Sequence, residues 1–431
     1  MISAAIIGKS FYEIDKPCVI FDVVEDNLIN KLERRRKCPT ILIGINSSII
    51  FNNLGKIEQP LLIINNEETI ENKKEYDNKF NVLNSHIYNF KNRETSLSAC
   101  TYFICSFIVN NLDYIVRLPL IASHANNLFS KFEGLNSFIA QDANTGNITK
   151  SRKHLAILGS SVFSPQDGII FSNNPFLPGL SGNSNEVDKL FAKANIESMT
   201  TSTSRKLIDL TKDEITDLNN LLIIHLSTQE GHQEENLVFI KEITIINKES
   251  EDSITNNVWD FSTAINDSIN RMQMTSAVAV LMGNRTNHLT KLTRLFIEER
   301  KAVSLSYQLI IDKRQDIVDL SVFRYFNADR KINWYNTSLI AGMALSNGLV
   351  ASDYPFAVTA PGPDNLVTIG VRASKNMITE SITNVVNHVL EKLTIQSDTY
   401  GSNLDVQFSL LKKDVDAVLL QINAYLMSLI S

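Results

Sequence analysis

Pro39-Thr40-Ile41-Leu42-Ile43-Gly44, answered after a loop by Pro60-Leu61-Leu62-Ile63-Ile64-Asn65, sets the reading of this chain. Each run is short, continuously apolar, rich in β-branched residues and bounded by Gly, Pro or Asn. That pattern marks strands buried on both faces rather than the alternating strands of a half-exposed sheet. Thr95 or Ser96 can then cap a helix in which Leu97, Cys100, Phe103, Ile104, Phe107 and Ile108 recur at helical spacing and which runs to Asn110-Asn111. Tyr114-Ile115-Val116-Arg117-Leu118, running into Pro119, reads as the next strand. Strand, strand, helix, strand predicts an α/β layer, specifically a mixed sheet with flanking helices.

Upstream, residues 1–38 read as an N-terminal arm with short strands at Ala4–Ile7 and Val19–Val23 and a basic run, Arg34 to Lys37. Residues 39–125 form the first part of a core. Residues 126–205, with a Pro/Gly/Asn-rich loop at Ser172–Asn185 and a Ser/Thr cluster at Ser198–Ser204, read as an inserted or outward-facing subdomain. Residues 206–431 form the second part of the core: a helix from Thr211 to Leu222, a strand near Val238–Ile246, and a helix through Leu292, Leu295, Phe296 and Val303. A strand at Leu305–Ile311, a strand at Val367–Val371, an amphipathic helix between Lys375 and Leu393, and a final helix near Ser409–Ile430 complete it.

The chain has 431 residues, 44% of them hydrophobic and 20% charged, enough apolar surface for two or three packed domains. Its formal net charge of -6 and pI near 5.7 argue against nucleic acid as a main partner. Cys18, Cys38, Cys100 and Cys105 form no CxxC pair and no disulfide framework, which fits a reducing compartment. The opening MISAAIIGKSFYEIDKP lacks the basic leader of a secretory signal. Apolar stretches such as Ala99–Val109 and Ser338–Leu345 fall short of the roughly 20 residues that a membrane crossing needs.

Chemistry is hard to find. Seven histidines occur without a His-x-x-x-His spacing, and there is no GxGxxG, Walker loop or GxSxG elbow. A pocket around His124, Asp142 or the proline-rich loop Pro355–Asp364 could host hydrolysis if those residues converge in one concave site. A satisfied histidine and a rigid turn are the plainer readings of the first and last. No catalytic, cofactor-binding or metal-ligating residue is therefore assigned, and the chain is expected not to be an enzyme.

Four stretches in one linear order resemble the sheath proteins of contractile phage tails and related contractile injection systems. They are Pro39–Gly44 with Gly55–Glu67, Ser96–Leu118, Leu210–Asn219, and Gly283-Asn284-Arg285-Thr286 with Leu292–Leu305; Leu366–Val371 resembles a late strand of the same core. Asn110-Asn111-Leu112 departs from that family's glycine turn. The resemblance implies a sheath-like core with an inserted subdomain and terminal arms. It implies a virion structural subunit that stacks as hexameric rings around an inner tube and contracts for viral genome ejection. Its partners would be further copies of itself, the tail tube, and baseplate and tail terminator proteins, with no cofactor and no nucleic acid. Its location would be the virion tail, assembled in a host bacterial cytoplasm.

In that family terminal arms add strands to neighbouring subunits, so Ala4, Ile6, Val19, Phe21 and Val23 at one end and Leu404, Val406 and Phe408 at the other become the arm candidates. The alternatives are another tail or baseplate component, or a hydrolase-type enzyme.

Overall fold

The computed structural model describes residues 1–20, 28–34, 38–45, 50, 52–53, 56–65, 80–91, 94–125, 133–196, 205–228, 239–374 and 380–430. The protein is a mixed α/β chain that divides into two compact units. One unit comprises Met1–Lys153 and Glu242–Arg294, the other His154–Lys241 and Leu295–Ser431. No described helix is long and apolar enough to cross a membrane.

In the first unit the two apolar runs form strands β1 (Thr40–Ile43) and β2 (Leu61–Asn65), and β3 (Phe80–Asn84) completes a parallel sheet in the order β1-β2-β3. Leu61, Ile63 and Ile64 are buried, as continuous β-branched runs require in a sheet covered on both faces. Strand β3 lies inside a stretch that reads as polar and Asn-rich, and its apolar content is too thin to announce it.

Helix Leu97–Ser106 packs against β2. Ser96 caps it by accepting a hydrogen bond from the Ala99 N–H at 3.1 Å, a cap that contributes about 1 kcal/mol. The helix ends at Ser106, short of Asn110.

Two expected strands in this unit are helical. Ala4 and Ile6 belong to helix Ile2–Glu13, which packs on helices Leu97–Ser106 and Arg117–Ala125, with Ser3 Oγ hydrogen-bonded to Ser98 Oγ at 3.0 Å. Tyr114–Leu118 is a turn that enters helix Arg117–Ala125, where Pro119 sits in the first turn and loses no intrahelical bond. Short apolar runs fit either element, and packing on the neighbouring helices decides for the helix. Strand β4 (Thr149–Leu155) pairs with β5 (Ile240–Ile246) in a two-stranded sheet.

The second unit is built on a six-stranded mixed sheet. Its strands are β6 (Val318–Asp319), β7 (Arg324–Asn327), β8 (Phe356–Pro361), β9 (Leu366–Arg372), β10 (Thr399–Gly401) and β11 (Asp405–Leu411), in the order β10-β11-β9-β8-β7-β6. On one face Ile369, Val371, Val406, Phe408 and Leu410 join Val385, Val386 and Val389 of helix Ile382–Lys392 and Val418 and Ile422 of helix Val415–Ile430. On the other, Val358 and Phe356 meet Ile340, Ala341 and Ala344 of helix Thr337–Ser346.

A helical layer, Pro165–Ile170, Ser184–Ala194 and Lys212–Ser227, has its own apolar cluster, and the last helix opens on a capping box between Thr211 and Glu214. Leu305–Ile311, expected as a strand, continues helix Asn287–Asp312, because Val303, Tyr307 and Ile310 stay on one buried stripe.

Candidate functional site

Ligands of open α/β sheets bind at the carboxyl ends of the parallel strands. Here β1 runs into Gly44, which takes a φ of 66°. Strands β2 and β3 end on Asn65 and Asn84, both buried, and the Asn84 Nδ2 donates to the Asn65 Oδ1 at 2.7 Å. The Asn84 Oδ1 in turn accepts from the His86 backbone N–H at 2.8 Å. The crevice therefore presents two neutral amides locked to one another, with Ser85 buried beside them in the chain.

A second polar constellation ties the same unit together. The Glu249 carboxylate accepts from Arg117 Nη1 at 2.7 Å, from Arg285 Nε and Nη2 at 2.9 and 2.6 Å, and from Thr255 Oγ1 at 2.6 Å. Burial alone would push Glu249 up, but the Arg285 and Thr255 hydrogen bonds and the two guanidinium charges hold it below the usual carboxylate range. Tyr114 stacks under Arg117, 3.9 Å from ring centroid to guanidinium carbon, and its hydroxyl donates to the Leu281 carbonyl at 2.8 Å. Two guanidiniums on one carboxylate pin residues 114–117, 249–255 and 280–285 to each other.

The residues singled out for hydrolysis each have a setting of their own. Burial holds the His124 imidazole down at about 4, so it is neutral near pH 7 and supplies no acid proton. Asp142 accepts from the Tyr102 hydroxyl at 3.1 Å, and burial together with that carboxylate pushes the Tyr102 phenol well above its ordinary range. Pro355–Asp364 belongs to the other unit and becomes strand β8 and the turn after it.

The arm candidates fare no better as exchangeable strands. Ala4 and Ile6 are helical, Val19 is 69% exposed and outside any strand, and Phe21 and Val23 lie outside the described residues. Leu404 is in a bend, while Val406 and Phe408 sit in β11, which is hydrogen-bonded on both sides and has no free edge. All four cysteines are free, Cys100 and Cys105 buried.

No family model matches this chain, and no curated protein matches it by sequence. Solved structures do. The crystal structure of CDC45 from Entamoeba histolytica superposes with a TM-score of 0.66 at 10% identity, covering 99% of this chain and 93% of that one. The fold is that of CDC45 and RecJ. Exonuclease RecJ bound to manganese follows at a TM-score of 0.56 and 10% identity, over 99% of this chain and 86% of its own. RecJ from Thermus thermophilus with Mn2+ gives 0.53 at 10% identity, over 99% of this chain and half (50%) of the RecJ chain.

These matches overturn the tail-sheath resemblance and what it implied: stacked rings, tube, baseplate and terminator partners, and a place in a virion tail. The shared residue patterns were strand and helix ends common to many α/β sheets. The expectation that the chain is no enzyme is also overturned, because the fold is shared with an exonuclease although no short catalytic motif announces it. So is the exclusion of nucleic acid, since a net charge is a sum over the surface and says nothing of local cationic clusters.

Manganese accompanies RecJ in these structures. The described residues of this chain do not fit such an ion: no group of three His, Cys, Asp or Glu side chains lies together among them. Among the described residues, β2 and β3 end in amides, which lack the negative charge that hard divalent cations prefer.

Proposed function

We propose that this chain is a nucleic-acid-processing protein built on the CDC45/RecJ architecture. The observation that carries this reading is the extent of the likeness: 99% of the chain, running through both units, superposes on 93% of CDC45. A match confined to a three-stranded parallel sheet would say little, because many α/β proteins share one. Sequential agreement through the parallel sheet, the helical layer and the mixed sheet supports descent of the whole scaffold.

Hydrolysis of a nucleic acid strand is the second reading, favoured by the likeness to exonuclease RecJ. The amide pair at Asn65 and Asn84 gives no support for a metal-assisted step.

The test is a binding and digestion assay on the full chain with end-labelled single-stranded and duplex oligonucleotides, with and without manganese. Saturable binding of a strand supports the proposal, and progressive shortening from one end supports its hydrolytic form. A chain that neither binds nor shortens any oligonucleotide at low salt overturns both.

A further inference from the structure

Helix Val415–Ile430 is apolar on both of its sides. Val418, Leu419, Ile422 and Leu426 are buried in the cluster that also holds Phe408 and Val385. On the opposite side Ala417, Leu420, Ala424 and Met427 face outward, and all four are exposed, Leu420 at 56% and Met427 at 49%. Both flanks of this outer stripe are engaged within the fold. The Asn423 Oδ1 accepts from the Val322 N–H at 3.2 Å on one flank, and Tyr425 stacks on His388 of helix Ile382–Lys392 on the other, with ring centroids 4.4 Å apart. The stripe itself stays open. No charged residue follows Asp416 in the helix, although a surface helix ordinarily carries charge on its outer face and one that is apolar all round is a buried helix.

The spacing of the stripe points to what fits on it. Steps of three, four and three residues, from Ala417 to Leu420, Ala424 and Met427, make a short heptad seam of the kind that receives another helix. The seam alternates small and large side chains. Laid antiparallel on a copy of itself, about a two-fold axis beside Ile422, it sets Leu420 opposite the partner's Ala424 and Ala417 opposite the partner's Met427. Each large side chain then meets a small one in every layer, which fills the space between the helices without overlap. A parallel pair would set Ala424 on Ala424 and leave that layer underfilled.

Charge favours the same direction. Lys412, Lys413, Asp414 and Asp416 all lie at the amino end of the helix, and the last turn has no basic residue. The antiparallel pair places that charged end against the partner's uncharged end, whereas a parallel pair brings each charge to its own copy.

We propose that this stripe is the contact face of a two-fold homodimer in which helix Val415–Ile430 packs antiparallel on its copy. The contact is isologous and closed, so it stops at two chains and builds no ring or stack. It does not depend on the nucleic-acid reading. The 16-residue helix is about 24 Å long and roughly 10 Å across. One such helix pair covers less than the roughly 1,200 Å² that a stable interface buries, so the dimer is reversible and forms at micromolar to millimolar concentration.

Sedimentation equilibrium of the full chain across that range is expected to show a monomer and a dimer. Leu420→Glu, a change at an exposed position, is expected to weaken the dimer about ten-fold or more while leaving the circular dichroism spectrum unchanged. Disulfide trapping reads the direction and does not rely on that variant. In a Cys18→Ser, Cys38→Ser background, which removes the exposed thiols, Ala417→Cys chains mixed with Met427→Cys chains are expected to cross-link to each other and not to themselves. Cross-linking of Ala417→Cys chains to themselves overturns the antiparallel seam. A chain that stays monomeric at about 1 mM, or a dimer indifferent to Leu420→Glu, overturns the proposal.

Discussion

The parallel sheet β1–β3 and the mixed sheet β6–β11 differ in what they do with their spare polar surface. In the first, β2 is largely buried, and it and β3 end in two buried amides, Asn65 and Asn84, joined by a hydrogen bond. In the second, one face packs on helices Ile382–Lys392 and Val415–Ile430, while at the β10 edge of the other Tyr400 is exposed and Trp334 partly so. Polar groups buried at strand ends must find partners inside the protein, whereas an open sheet face can leave them to solvent.

The sharpest way to break this comparison is through the closed face of the mixed sheet. Phe408→Ala removes a side chain 2% exposed and packed among Val385, Val418 and Ile422, and is expected to cost roughly 3–5 kcal/mol in urea unfolding followed by circular dichroism. A loss under about 1 kcal/mol would mean that the helices do not close this face, given the usual cost of a core cavity.

Next comes the ion cluster of the unit that carries the parallel sheet. Glu249→Gln leaves Arg117 and Arg285 crowded without their carboxylate and is expected to cost roughly 3 kcal/mol at pH 7. The folded-state pKa of Glu249 is depressed below the ordinary 4.5, so its contribution is fully present above that value and is lost as pH falls through the folded pKa. The wild-type advantage over Glu249→Gln should therefore shrink in acid below about pH 4.5, the ordinary carboxyl value. Equal stabilities at pH 7 would show the carboxylate to be dispensable.

The smallest effect sharpens the account of the amide pair. Asn84→Asp replaces the Nδ2 donor by a second acceptor facing the Asn65 Oδ1, and an unmet buried acceptor costs about 1–3 kcal/mol. Thermal unfolding measures it, and an unchanged midpoint would mean that the pair is open to water.

Much of the scaffold is legible without coordinates. The runs at Thr40–Ile43 and Leu61–Asn65, the Ser96 cap, the Thr211 helix start and the strand over Val367–Val371 are local, because apolar periodicity and capping act within a few residues. The segments that suggested a sheath also hold a real constraint: Arg117 and Arg285 converge on Glu249, with Tyr114 stacked on Arg117, a convergence across residues 114 to 285 that no local pattern carries.

Where local preference is weak, the tertiary structure decides. Ala4–Ile7 and Tyr114–Leu118 turn helical because neighbouring helices bury them that way, and β3 forms because β2 offers an edge to pair with. The contacts between distant residues lie wholly on that second side. Asn65 meets Asn84, and Gln407 stands beside Tyr400 and reaches the Trp334 carbonyl, only through strand register and crossover connections, which bring together residues whose separation in the chain carries no chemical signal.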